Sequence, residues 1–261
     1  MKYEIDNKEI QDKEVSGWWN DSRTKKWHNF TYDIDNPLSH HLILRQKKVL
    51  QYLKLLNLAK GSKILELGGG AGQTAKKICE LGYDVTGIDI SKHLCDESEI
   101  KCKKYVNNGS ARFINQSMEK KFPIKDNEFD VCIIVGSIQY VGDLNFCFNE
   151  INRVLKNNGN LVLCQANMYP LLDLIKPRHM FLKLVYFFLN EEFLISPSFK
   201  SILCESRLGK YFKKYEDSKF MNYEFMTKGT EKLDYKIRKR LYSYNQLKKL
   251  FIKFNFNIKK K

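Results

Sequence analysis

An acid and three glycines alternate through Glu66-x-Gly68-x-Gly70-x-Gly72, and a second acid, Asp89, follows about twenty residues later. Glycine has no Cβ, so such a turn bends sharply and lets the backbone approach a ligand closely. An acid at the end of the next strand can hydrogen-bond both hydroxyls of a ribose. Together these features point to a nucleoside-type cofactor. A dinucleotide fingerprint, G-x-G-x-x-G counted from Gly68, would require Gly or Ala where Gln73 stands, and the lysine of a P-loop is also missing. A pyrophosphate turn is therefore the second reading, and a βα turn that binds nothing the third.

The elements that must position these residues follow from the apolar pattern. Ile64, Leu65 and Leu67 form a short strand that stops at the glycines, and a helix from Gln73 to Leu81 turns Ala75, Ile78 and Cys79 toward the sheet. Val85 to Asp89 is a second strand. After it Ile90-Ser91 leads into a helix over about 92–106, which Asn107-Asn108-Gly109 closes. Ala111 to Ile114 is a short strand. Val131 to Val135 is continuously apolar, as a strand covered on both faces should be. A helix from Phe146 to Leu155, a turn at 156–159 and a strand from Asn160 to Gln165 complete this part. Upstream, Leu42, Ile43, Val49, Leu50, Leu53, Leu56 and Leu58 recur at near-helical spacing. Strands alternating with helices predict an α/β fold, a doubly wound and mostly parallel sheet with helices on both faces.

The stretch Lys63 to Ala75 resembles motif I of the class I S-adenosylmethionine-dependent methyltransferases. A second match is Glu150-Ile-Asn-Arg-Val-Leu-Lys-Asn-Asn-Gly, similar to that family's R-V-L-K-P-G-G turn, and the resemblance covers roughly 63–165. It implies a Rossmann-like sheet with S-adenosylmethionine as methyl donor and no metal. Gly68, Gly70 and Gly72 would shape the turn under the cofactor. Glu66 would orient that turn or the cofactor's amino-acid end, while Asp89 takes the ribose hydroxyls beside Ile90, and Gly136 lies beneath the methionine moiety. The family's acid and small residue at the adenine align with Ser117-Met118. There a serine can form one hydrogen bond and Met118 can pack on the ring. Acceptor-side candidates are Tyr140, Asp143 and His41, with His28 and His40 behind them. Where amine-methylating members carry an Asn/Asp-Pro-Pro-Tyr tetrapeptide, this chain has Gly136-Ser137-Ile138-Gln139, and the Pro-Cys of C5-cytosine enzymes is absent. The resemblance thus implies a small-molecule acceptor, apolar or lipid-linked, methylated at O, N or C.

Composition bounds the rest. The chain has 261 residues, 43% of them hydrophobic, with five prolines and no Pro/Gly/Ser-rich linker, which suits a single domain over 1–261. Within it, 1–60 is an aromatic cap and helix, 61–166 the cofactor-binding core, 167–240 a helical insertion, and 241–261 a last helix with a strand from Phe254 to Ile258. Trp18, Trp19 and Trp27 are expected to fold onto the core. The insertion opens with an apolar run over 169–193 that would form a lid, enclose an apolar acceptor or rest on a membrane surface. No transmembrane span or signal peptide is evident. Seven cysteines show no C-x-x-C pair, which suits a reducing, cytoplasmic setting without a metal site.

The net charge is +15, and 195–261 holds 18 Lys/Arg against 6 Asp/Glu. Two rivals to the small-molecule reading follow. One is an RNA or DNA methyltransferase that uses the basic C-terminal third as a platform. The other is a non-catalytic scaffold that keeps the fold and the cofactor. Oligomeric state is not legible.

Overall fold

The computed structural model describes residues 8–21, 40–165, 220–221, 237–238 and 244–258. Helix α1 (Lys8–Asn20) and helix α2 (His40–Leu55) precede a five-stranded sheet. Its strands are β1 (Lys63–Leu67), β2 (Asp84–Asp89), β3 (Ala111–Asn115), β4 (Phe129–Val135) and β5 (Leu155–Cys164). They lie in the order β3-β2-β1-β4-β5, every pair parallel. The chain reverses direction of build-up between β1 and β4. That switch point is where open α/β sheets hold ligands, outside the carboxyl ends of the strands.

Side chains along a strand alternate between faces, so each strand feeds two cores. Ile64, Val131 and Ile133 pack on one face with Val49 and Leu53 of α2 and with Ala75, Ile78 and Cys79 of helix α3 (Gln73–Glu80). Leu65, Leu67, Cys132 and Ile134 pack on the other with Phe148 and Ile151 of helix α6 (Leu144–Val154). Burial on both faces is why β4 has no polar residue from Val131 to Val135. Each of its fully buried isoleucines contributes about 1.5–3 kcal/mol.

Four sequence expectations need correction. The helix expected over 92–106 breaks at Cys102 into α4 (Lys92–Lys101) and α5 (Lys103–Asn107), because Cys102 sits at φ −99°, ψ 14° and closes α4. The helix that the apolar spacing predicts from His40 to Leu58 ends at Leu55, and 56–62 is turn and irregular chain. The turn at 156–159 lies within β5 as an irregularity, since Phe129 faces Leu155 while Val131 already faces Asn160. Finally, Phe254–Ile258 is not a strand. Helix α7 (Tyr244–Lys253) passes into a turn, and Phe254 stacks on Phe148 with ring centroids 5.4 Å apart. An aromatic side chain in the core holds this segment where a ladder was expected. A two-residue antiparallel pair, β6 (Phe220–Met221) with β7 (Ile237–Arg238), stands apart from the main sheet.

Arg153 explains the Asn-Arg-Val-Leu stretch structurally. Its guanidinium forks onto the Glu150 carboxylate through Nε (2.9 Å) and Nη2 (2.7 Å). It also donates to the carbonyls of Phe122 and Ile124 and to Asp126. Glu150 in turn accepts the Phe122 N–H at 2.8 Å. The loop before β4 is thereby clamped onto α6.

Candidate functional site

The carboxyl ends of β1, β2 and β4 meet around the glycine turn. Gly68 donates its N–H to Ile88 O at 2.8 Å, and its φ is +67°, a left-handed conformation that favours glycine. A Cβ on Gly68 would overlap Ser137, whose hydroxyl donates to Leu67 O at 2.8 Å. Gly72, at φ +75°, faces α4, and a Cβ there would stand 2.9 Å from Ser98 Cα. The turn is therefore glycine-rich partly because it packs against its own chain.

The two acids lie beneath it. Asp89 accepts from Gly70 N at 3.0 Å through one oxygen and from Ser91 N at 2.9 Å through the other. Burial pushes its pKa up to about 6, against the lowering pull of those N–H groups. A carboxylate oxygen has two lone pairs, so each retains capacity for a ribose hydroxyl. Glu66 is 2% exposed and curls under Gly69, and its Oε2 is buried without a hydrogen-bond partner among the described residues. Burial, and then the charge of Asp89, push its pKa up to about 8, so it is mostly neutral at pH 7.

The other expected cofactor residues fall around this centre. Ile90 offers its carbonyl to Asn115 Nδ2 at 2.9 Å. Ser117 is buried, and its Oγ accepts from Glu119 N at 3.1 Å, leaving the hydroxyl hydrogen to donate. Met118 Cε lies 3.6 Å from the Cβ position of Gly68, on the wall of the turn. Gly136, at φ +76°, closes β4 and donates to Cys164 O at 2.8 Å.

On the acceptor side the candidates divide. Tyr140, in the short 3-10 turn Ile138–Tyr140, meets Trp19 of α1 edge-on at 6.2 Å. Asp143 instead caps α6 by accepting from Phe146 N at 2.9 Å, and its own N–H donates to Glu119. The side chains of His28, His40 and His41 lie outside the described residues, as do Trp27, most of the insertion including 169–193, and most of the basic C-terminal third. Among the described residues six cysteines are free, and burial pushes the thiols of Cys79, Cys95 and Cys147 up to about 12, so they act as small hydrophobes. Among the described residues no helix is long and apolar enough to cross a membrane.

One feature was expected in outline, since the tryptophans predicted that the leader folds onto the core, and two were not anticipated. Helix α1 docks on the turn after Asp89: Ser91 Oγ shares its one hydroxyl hydrogen between Trp19 O and Asn20 Oδ1, each at 3.0 Å, and His93 N donates to the same Asn20 oxygen at 3.1 Å. With Trp19 also touching Tyr140, α1 bridges the ends of β2 and β4. Arg45 of α2 places Nη1 3.3 Å from the Cβ position of Gly136, and its charge partly opposes the burial that pushes the Cys164 thiol up. A signal for it existed, because Arg45, Val49 and Leu53 lie at i, i+4 and i+8, which puts a charge on a buried stripe. Gln165 donates from Nε2 to Gln139 Oε1 at 3.1 Å, pairing the residue after β5 with the turn after β4.

Residues 65–163 match a family model described as a methyltransferase domain. The chain is 30% identical over 112 residues to a demethylmenaquinone methyltransferase of Tropheryma whipplei, covering 43% of this chain and 45% of that one. It is 28% identical over 170 residues to a ubiquinone biosynthesis O-methyltransferase of Pelagibacter ubique, covering 62% and 66%. The chain thus spans about half to two thirds of these relatives' lengths. Its fold is like that of the crystallised 4+2 cyclase SpnF, with 17% identity, a TM-score of 0.52 and 61% of each chain covered.

Proposed function

We propose, from the membership of residues 65–163 in the class I S-adenosylmethionine-dependent methyltransferase family, that this protein transfers a methyl group from S-adenosylmethionine to a small-molecule acceptor. The observation that carries the reading is the junction of Asp89 with Gly70, which sets an acid and a glycine turn at the switch point of the sheet. The residues fit the cofactor: a turn in which four of five residues are glycine, an acid with spare lone pairs, a buried carboxyl oxygen lacking a partner among the described residues, and a thioether beside the turn. Asp89 would hold the ribose, Ile90, Ser117 and Met118 the adenine side, and Glu66, Gly68, Gly70, Gly72 and Gly136 the methionine side.

The cofactor supplies an activated methyl on a sulfonium leaving group. The chain's part is then proximity and orientation, with α1, Trp19 and Tyr140 covering the crevice against water. The relatives named for quinone methylation favour a flat, partly apolar acceptor. Calorimetric titration with S-adenosylhomocysteine and with NADH tests the proposal. Micromolar binding of the first alone supports it, and binding of neither by folded protein withdraws it.

A further inference from the structure

Beyond Gly136, toward β5, the site ends in polar groups that the cofactor reading leaves unused. Gln139 and Gln165 face each other as a pair of amides. One contact satisfies one donor and one acceptor, so among the described residues the pair keeps Nε2 of Gln139 and Oε1 of Gln165 available. That Oε1 is buried and has no hydrogen-bond partner among the described residues. A buried amide oxygen without a donor is rare in folded proteins and calls for a partner. Arg45 lies beside the same strand ends, against Gly136 and near Cys164, and makes no hydrogen bond or ion pair among the described residues. A cation here disfavours an ammonium and favours an oxygen that becomes negative.

We propose that Gln165 and Gln139 read a hydroxyl on the methyl acceptor, and that Arg45 lowers the pKa of that hydroxyl, so that the acceptor is a phenol or enol methylated on oxygen. The inference rests on the methyl-transfer reading above. The acceptor hydroxyl donates to Gln165 Oε1 while Gln139 Nε2 donates to its oxygen. As the O–CH3 bond forms, the C–S bond breaks with its electron pair to sulfur, and the hydroxyl proton passes to water, since neither amide is a base. Gln139 and Gln165 are thus specificity residues and Arg45 an electrostatic one.

The test titrates full-length protein, charged with S-adenosylhomocysteine, with 1-naphthol and with 1-methoxynaphthalene. Wild type should prefer the naphthol by about tenfold or more, the worth of one buried hydrogen bond. Q165L and, separately, Q139L should shrink that preference below about threefold with S-adenosylhomocysteine affinity unchanged. In R45Q the pH at which labelled methyl transfer to 1-naphthol reaches half its maximum should move upward. Equal affinity for the two probes, binding of neither by the charged protein, or a preference that survives in both glutamine variants overturns the proposal. Failure of wild type to bind S-adenosylhomocysteine at all, visible in the same titration, overturns the underlying cofactor reading and this inference with it.

Discussion

Asp89 and Gly70 are joined by a 3.0 Å hydrogen bond from the glycine N–H to a carboxylate oxygen, so the acid that would grip the ribose also holds the turn beneath the cofactor. Binding and loop geometry therefore fail together when Asp89 is changed. Asp89→Ala should lower S-adenosylhomocysteine affinity at least tenfold, about 1.5–3 kcal/mol for a charged hydrogen bond, and should also lower the melting temperature. Asp89→Asn retains one acceptor oxygen and should fall between. Calorimetry with thermal unfolding checks this. Unchanged affinity in a folded Asp89→Ala protein would sink the ribose assignment.

Gly68→Ala faces two separate obstacles, a left-handed φ of +67° and overlap with Ser137. The first costs about 1 kcal/mol and the overlap adds to it. Ser137→Gly in the same chain removes the overlap and leaves the backbone strain, so the double variant should recover part of the lost stability. Urea unfolding of both variants separates the contributions.

Glu66 gives a pH dependence of defined sign. Its pKa rises from 4.5 to about 8 on folding and that of Asp89 from 3.8 to about 6. An acid held neutral by burial favours folding at low pH, and that contribution is lost as pH climbs through the folded value. The ligand-free protein should therefore be less stable at pH 8 than at pH 5, by a few kcal/mol at 1.36 kcal/mol per unit. Glu66→Gln cannot ionise and should flatten that slope. Denaturation at both pH values decides it, and a parallel slope in the variant would place the dependence elsewhere.

Arg153 should tolerate no substitute. Arg153→Ala leaves Glu150 without its bidentate partner and frees the loop carbonyls of Phe122 and Ile124, for an expected loss of about 2–4 kcal/mol. Arg153→Lys offers a single ammonium where a fork is needed and should rescue less than half of it. Chemical denaturation measures both.

Helix α1 should govern ligand exchange. Asn20→Ala removes the oxygen shared by Ser91 and His93, and Trp19→Ala removes the ring against Tyr140. Either change should speed S-adenosylhomocysteine release in stopped-flow displacement more than it slows association, because contacts made in the closed state are lost. Release unchanged in both variants would mean that α1 does not cover the crevice.

Much of this was legible from local pattern. The run Ile64 to Gly72, the acid at Asp89, the apolar β4 and the Arg153 turn are short-range signals, since strand burial and glycine turns depend on neighbours within a few residues. Tertiary structure alone decided what those residues do to one another. It set Ser137 against Gly68, turned Asp143 into a helix cap, put Phe254 into the core as a stacking partner of Phe148, and drew Arg45, Gln139 and Gln165 to one end of the sheet. Those pairings join residues up to about 120 positions apart in the chain. No local periodicity encodes such a meeting, because it is fixed by how parallel strands and their crossover helices pack together.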